Sequence, residues 1–111
     1  LSLDQDHANI TIKALLDQGC DAFLALNNVV ALRTIAGLRH QKINFGTDVR
    51  LICFEDSELF EFIEPGITAL KQPTITIGKN AVHRLYSRLK EQTQPGQQEV
   101  LHCKLILRNS H

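Results

Sequence analysis

The chain has no methionine and no tryptophan, a single tyrosine, three prolines, and twelve basic residues that cancel twelve acidic ones. Each shortage excludes something. Without any methionine, the initiator included, the sequence is expected to be a fragment of a longer protein. A neutral balance argues against direct DNA binding by this segment, because phosphate is met by a basic patch or stripe. The nearest thing to one is His83, Arg84, Arg88 and Lys90, which falls where helical periodicity predicts a solvated face. No apolar run approaches the roughly 20 residues of a membrane span. The amino end also lacks the charged and apolar regions of a secretory signal. No membrane contact is expected.

Cysteine is scarce too. Cys20, Cys53 and Cys103 are widely spaced with no C-x-x-C pair, which speaks against both a disulfide scaffold and a zinc site. Cys53 and Cys103 lie in strand-like patterns, where a free thiol behaves as a small buried hydrophobe. That implies a reducing, cytoplasmic location. The five histidines show no H-x-x-x-H spacing beside a carboxylate, so no metal and no cofactor are expected. Catalytic signatures are missing as well. No G-x-G-x-x-G or P-loop follows a strand, Ser57 lacks the flanking glycines of a nucleophile elbow, and no nucleophile–His–acid set is in view. The chain reads as a non-enzyme with no catalytic residues.

What is present is an ordinary globular composition, 43% hydrophobic and 22% charged over 111 residues, enough for one small domain without repeat or linker. The order is helix, strand, helix, strand, short helix, strand, helix, strand. Asn9 is the expected cap of a first helix with the stripe Ile12, Leu15, Leu16, and Gly19 its left-handed terminator. Ala22 to Leu26 is a continuous apolar run, expected to be a parallel strand covered on both faces. Asn27-Asn28 then cap a helix from Val29 to about His40. A turn cluster follows at 44–48, and Thr74 or Thr76 opens a helix with the stripe Gly78, Ala81, Val82, Leu85, Leu89. Residues 92–98 form a polar loop. The last run puts Leu101, Cys103, Leu105 and Leu107 on one face and His102, Lys104 and Arg108 on a wet one, as at a sheet edge. Strands alternating with helices specify an α/β fold with a mostly parallel open sheet and helices on both faces.

The segment 51–73 is the most informative. An apolar strand, Val49 to Phe54, stops at Glu55 and Asp56; a Pro65-Gly66 turn leads to a second strand, Ile67 to Leu70, ending at Lys71-Gln72-Pro73. In an open α/β sheet the crevice beyond the carboxyl ends of the strands is where ligands bind. Glu55 and Asp56 have a plainer reading as the turn and cap of the short helix at 57–63, where Asp56 and Ser57 are both good caps. Asn27 likewise has an alternative as an Asx turn, and Lys71 as a solvated strand end. Two helical segments carry more apolar surface than one sheet contact needs. The helix from Val29 has the stripes Ala31, Ile35, Leu38 and Val29, Leu32, Ala36, and in Leu59–Ile63 the residues Phe60 and Ile63 are hard to bury beside Leu59 and Phe62. Such surface is expected to meet a second subunit, the alternative being packing within the chain.

Phe54-Glu55-Asp56, Pro65 and Gln72-Pro73 resemble the effector-binding domain of LacI-family transcription regulators, in its carboxyl-terminal part. Ala25-Leu26-Asn27-Asn28 is similar to that family's Ala-Asn-Asp strand-to-helix junction, and Arg108-Asn109-Ser110 to its closing Arg-x-Ser. The likeness runs from Asp21 to Ser110. It implies the carboxyl-terminal lobe of a periplasmic-binding-protein-like type I fold, residues 1–111 forming a single lobe without the other lobe or the DNA-binding head. It further implies a homodimer that binds a sugar, sugar phosphate or purine as effector, and operator DNA only through the absent amino-terminal head. Matched by position, Asn27, Glu55 and Gln72 are ligand-binding residues, and Leu32 and Ile63 lie at the dimer interface. Two departures stand out: Glu55 replaces the usual Asp of the acid pair, and Asn28 the Asp of Ala-Asn-Asp. Two rival readings remain: a secreted solute-binding protein of the same fold, and a phosphoacceptor receiver domain built on Glu55, Asp56 and Lys71.

Overall fold

The computed structural model describes residues 4–90 and 96–111. In chain order the elements are α1 (Gln5–Asp17), β1 (Ala22–Ala25), α2 (Asn28–His40), β2 (Arg50–Cys53), a short 3-10 helix (Glu58–Glu61), β3 (Thr68–Lys71), α3 (Thr74–Lys90) and β4 (Lys104–Ile106). This is the order expected from periodicity. Of the expected polar loop at 92–98, residues 92–95 lie outside the described residues.

Local chemistry sets the boundaries. The side chain of Asp4, not Asn9, caps α1 by accepting the Asp6 N–H. Asn9 lies a turn and more inside the helix, where its side chain accepts from the Gln5 amide at 2.9 Å. Gly19 takes φ +84° just beyond the helix, as a left-handed terminator should. Asn27 caps α2 through an Oδ1 contact with the Val30 N–H at 2.9 Å. Ser57, rather than Asp56, caps the 3-10 helix by accepting from Leu59 N–H. In the turn before β2, Gly46 has φ +90°, and a Cβ there would stand 2.5 Å from the Asn109 carbonyl oxygen. No other residue fits.

The sheet order is β1-β2-β3-β4, with β1–β2 and β2–β3 parallel. Opposed pairs such as Phe23–Leu51, Ala25–Cys53 and Cys53–Ala69 share one face. That face meets Ile35, Leu38, Phe45, Phe60 and Ile67 in a single core, to which α1 contributes Ile12. Helix α1 packs on α2, and α2 on β1 and β2. The described residues fall into two compact units: one runs to Lys71 and resumes at Leu105–His111, and the other is Gln72–Lys104.

Several expectations about burial are corrected. Within the first unit β1 has one buried face, since Leu24 is 60% exposed; a continuous apolar run does not by itself say that both faces are covered. Phe60, expected to be hard to bury, is in the core, and Ile63 packs against it, so the exposed pair of that segment is Leu59 and Phe62. The second stripe of α2 is exposed at Val29, Leu32 and Ala36, so packing within the described residues does not cover it. No residue of α3 is buried, so its apolar stripe is surface, and Tyr86 stacks beneath Lys90 at 4.5 Å. The alternation read at 101–108 fails. Cys103, Leu105 and Leu107 are exposed, while Arg108, assigned to the wet side, is drawn inward.

The carboxyl-terminal residues stitch the strands together. Ser110 Oγ donates to the Leu51 carbonyl and accepts the Thr68 N–H at 2.8 Å, and the Ser110 carbonyl accepts Leu51 N–H at 2.7 Å. Thr68 Oγ1 donates to the Arg108 carbonyl and accepts the Arg108 N–H, both at 2.9 Å. Its one proton is thereby used, so His111 Nδ1, also at 2.9 Å, must be the donor to it. Removing the buried hydroxyl in Ser110→Ala leaves the Thr68 N–H and one lone-pair site on Leu51 unpaired. That variant should lose about 1–3 kcal/mol of stability, whereas Thr47→Ala, an exposed hydroxyl, should stay within about 0.5 kcal/mol. Urea unfolding midpoints check both.

Candidate functional site

Parallel pairing places the carboxyl ends of β1, β2 and β3 along one edge, and two of the expected site residues follow directly. The ladder continues one step past the strands, Phe54 N–H donating to the Ala25 carbonyl at 2.7 Å. Asn27 and Glu55 therefore emerge side by side.

Both turn toward the amino end of α2. Asn27 Oδ1 takes the Val30 N–H, and Glu55 Oε2 takes the Asn28 N–H at 3.1 Å. Two of the orphan donors of the first turn are thus satisfied by side chains, and a carboxylate sits where the helix dipole favours negative charge. The second Glu55 oxygen and the Asn27 amide NH₂ carry the remaining hydrogen-bonding capacity: an acceptor and a donor on neighbouring strand ends. Such a pair suits ligand hydroxyls, each of which is both donor and acceptor.

Asp56 faces elsewhere. Its Oδ1 accepts from Arg108 Nη1 at 2.8 Å, with the two side chains only 12% and 15% exposed. The two acids therefore do not converge on a cation, as the receiver-domain reading requires. Among the described residues no group of three His, Cys, Asp or Glu side chains is placed to hold a metal. Nor is any described helix long and apolar enough to cross a membrane.

Gln72 belongs to the other compact unit. There, with Pro73, Ile77, Asn80, Arg84, Glu99, Leu101 and Cys103, it lines an open hollow of about 380 Å³. Arg84 and Glu99 pair across that hollow at 2.8 Å. Of the two residues expected at a subunit interface, Leu32 is 43% exposed and Ile63 half-buried.

Sequence reasoning missed Arg108. Both halves of its contact were visible, the acid pair and the closing Arg-x-Ser, but 52 positions separate them and no periodicity joins them.

Against known proteins, the description of a periplasmic binding protein-like domain matches residues 3–111. The chain belongs to that family. Its relatives within the family include HTH-type transcriptional regulators. The chain is 32% identical over 89 residues to the HTH-type transcriptional regulator KdgR of Bacillus subtilis, covering 80% of this chain and 26% of that protein. It is 37% identical over 90 residues to the "Probable opine utilization operon repressor" of Rhizobium rhizogenes, covering 80% and 46%. Among solved structures, the transcriptional regulator CelR–cellobiose complex superposes with a TM-score of 0.82 at 28% identity, over 96% of this chain and 33% of that one. The chain thus spans about a quarter to a half of the length of these curated relatives.

Beneath the site, Cys53 is fully buried, and burial pushes its thiol above the ordinary value, outweighing the opposing pull of the Glu55 backbone N–H. The raised value keeps Cys53 protonated in the fold. A disulfide-exchange reagent at neutral pH should modify exposed Cys103 first and Cys53 only on unfolding, since the thiolate is the nucleophile. The unfolded thiol gives up its proton first as pH rises, so stability should fall above the ordinary thiol range near pH 9. Cys53→Ala should remove that part of the slope, as read from denaturation midpoints between pH 7 and 10.

Proposed function

We propose that this chain is the carboxyl-terminal lobe of the effector-binding domain of a LacI-type regulator, sensing a small polyhydroxy molecule and performing no chemistry. The observation that carries the reading is the placement of Asn27 and Glu55 on adjacent parallel strand ends, presenting an amide donor and a carboxylate acceptor side by side. Crevices at that edge of an α/β sheet are where ligands bind. The CelR structure, similar in fold over most of this chain, is a cellobiose complex, which supports a sugar. Sugar phosphates and purines are the other effector classes of the reading. Asn27 and Glu55 contact the effector, and Gln72 is included as a third contact on the family likeness alone.

In this reading a second lobe closes over the crevice, and operator DNA is bound by a helix-turn-helix outside this chain, in the cytoplasm. Dimers form through the exposed stripe of α2 around Leu32, with Ile63 at its margin. A stripe of Val29, Leu32 and Ala36 at one-turn spacing suits a partner helix or sheet, because contiguous exposed apolar surface on monomers is uncommon.

The decisive experiment is a thermal-shift screen of the intact two-lobed sensor against mono- and disaccharides, their phosphates and purine bases, cellobiose among them. A ligand at a hundredfold excess over its Kd should stabilise the sensor by about 2.7 kcal/mol. Glu55→Ala should lower the unliganded midpoint slightly, through loss of the contact to Asn28, and should abolish the ligand-dependent increment. An increment unchanged in that variant removes Glu55 from the site. For assembly, Leu32→Asp should convert dimers to monomers in sedimentation velocity while leaving the ligand increment in place; persistence of the dimer places the interface elsewhere.

A further inference from the structure

Glu55 and Asp56 are consecutive in sequence but anchored on different parts of the fold. Glu55 reaches the first turn of α2, and Asp56 reaches Arg108. Arg108 is itself tied down three more times. The nitrogen that holds Asp56 also donates to the Ile67 carbonyl at 2.7 Å, and the Arg108 backbone exchanges two hydrogen bonds with the Thr68 hydroxyl. Its side chain also covers Gly66, where a Cβ would lie 3.2 Å from Arg108 Cβ. The whole cluster is fixed to the start of β3.

We propose that Arg108 is a positioning residue for the effector site, holding Asp56 so that the Glu55 backbone stays fixed while its carboxylate exchanges between the Asn28 N–H and a ligand. The inference rests on the reading of Glu55 as a ligand contact, though the anchoring itself is independent of any ligand. Two observations and one consequence of the geometry carry it. First, the ion pair is largely shielded from solvent, and a pair withdrawn from water contributes little net stability over an apolar replacement of the same shape. Its contribution is then geometric, fixing where the chain goes. Second, the strand-end dipeptide lies past the paired residues of β1 and β2, next to Phe54 N–H on the Ala25 carbonyl and with the Glu55 N–H on the Cys53 thiol. Its side chains are anchored at Asn28 through Glu55 and at Arg108 through Asp56. Third, if Glu55 leaves Asn28 for a ligand, Asp56–Arg108 remains to keep that backbone in place.

The test needs no ligand. Native-state amide exchange by NMR on the 111-residue chain follows the Asn28 N–H in the wild type, Asp56→Asn, Arg108→Met and Arg108→Lys. The proposal expects Asn28 to exchange at least tenfold faster in Arg108→Met and Asp56→Asn. That acceleration should exceed the one at Leu51, whose N–H bonds the Ser110 carbonyl, and at Phe54, whose N–H bonds the Ala25 carbonyl. Arg108→Lys, which keeps the charge, should restore at least half of the protection on a logarithmic scale. An Asn28 rate that is unchanged, or that rises only by the same factor as Leu51 and Phe54, overturns the proposal, since a merely structural pair would loosen all three alike. Should Arg108→Met fail to fold, the near-isosteric Asp56→Asn decides alone by the same criterion. Failure of every sugar, phosphate and purine to shift the intact sensor would remove the effector reading of Glu55, yet leave the exchange result standing. The two failures are therefore distinguishable.

Discussion

Parallel pairing is the constraint on which the rest depends. An antiparallel pair sends successive strand ends to opposite edges, whereas β1, β2 and β3 run the same way and bring their carboxyl ends to one edge. Each must be followed by a crossover, so the backbone leaves the ladder there and its polar groups need new partners. Asn27 and Glu55 meet that need at the start of α2. The same edge thereby concentrates side chains that can hydrogen-bond a guest, and a structural obligation and a binding capacity fall on the same residues. The plainer reading of Asn27 as a helix cap and the sharper one as a ligand contact are then compatible, because Oδ1 is used for the cap and the NH₂ remains.

The opposite side of the fold answers a different problem. The starts of β2 and β3 are joined through Ser110, whose hydroxyl donates to one strand and accepts from the other. Thr68, buried and polar, is satisfied by Arg108 and His111. This polar seam takes the place that apolar packing would fill on a doubly covered strand. It also brings Arg108 within reach of Asp56, so the last residues of the chain bear on the loop beside the candidate site.

Legibility in the sequence followed the range of the interactions. Element order was readable because helix and strand periods, the caps at Asn27 and Ser57 and the left-handed Gly19 are all local signals. The placement of Asn27 and Glu55 was readable because strand ends adjoin wherever parallel pairing holds. The cap of α1 was misplaced because Asn9, a good capping residue, lies inside a helix that starts earlier at Asp4. Burial at 59–63 was misjudged because four apolar residues in a tight turn share no stripe, and tertiary packing selected Phe60. The Arg108 contact was invisible for a stronger reason. An alternating pattern predicts which face a residue lies on, not whether a guanidinium at a wet position will bend back to a carboxylate distant in sequence.

Glu55, where the resemblance to LacI-family regulators leads one to expect Asp, has a geometric consequence. The extra methylene lets the carboxylate reach across to the Asn28 N–H while its backbone stays in line with β2. Asn28 in place of the Asp of the Ala-Asn-Asp junction fits the same arrangement, for an Asp there would set a second negative charge beside Glu55 at the first turn of α2. A carboxylate already seated at a helix amino end makes that end less hospitable to an anionic ligand, because the donors are occupied and the dipole is partly compensated. A neutral hydroxyl meets no such repulsion and can donate to the free Glu55 oxygen. On the proposed reading of this edge as the effector site, the local electrostatics would favour an uncharged polyol over a phosphorylated group, and a phosphate-bearing effector would have to place its charge away from α2.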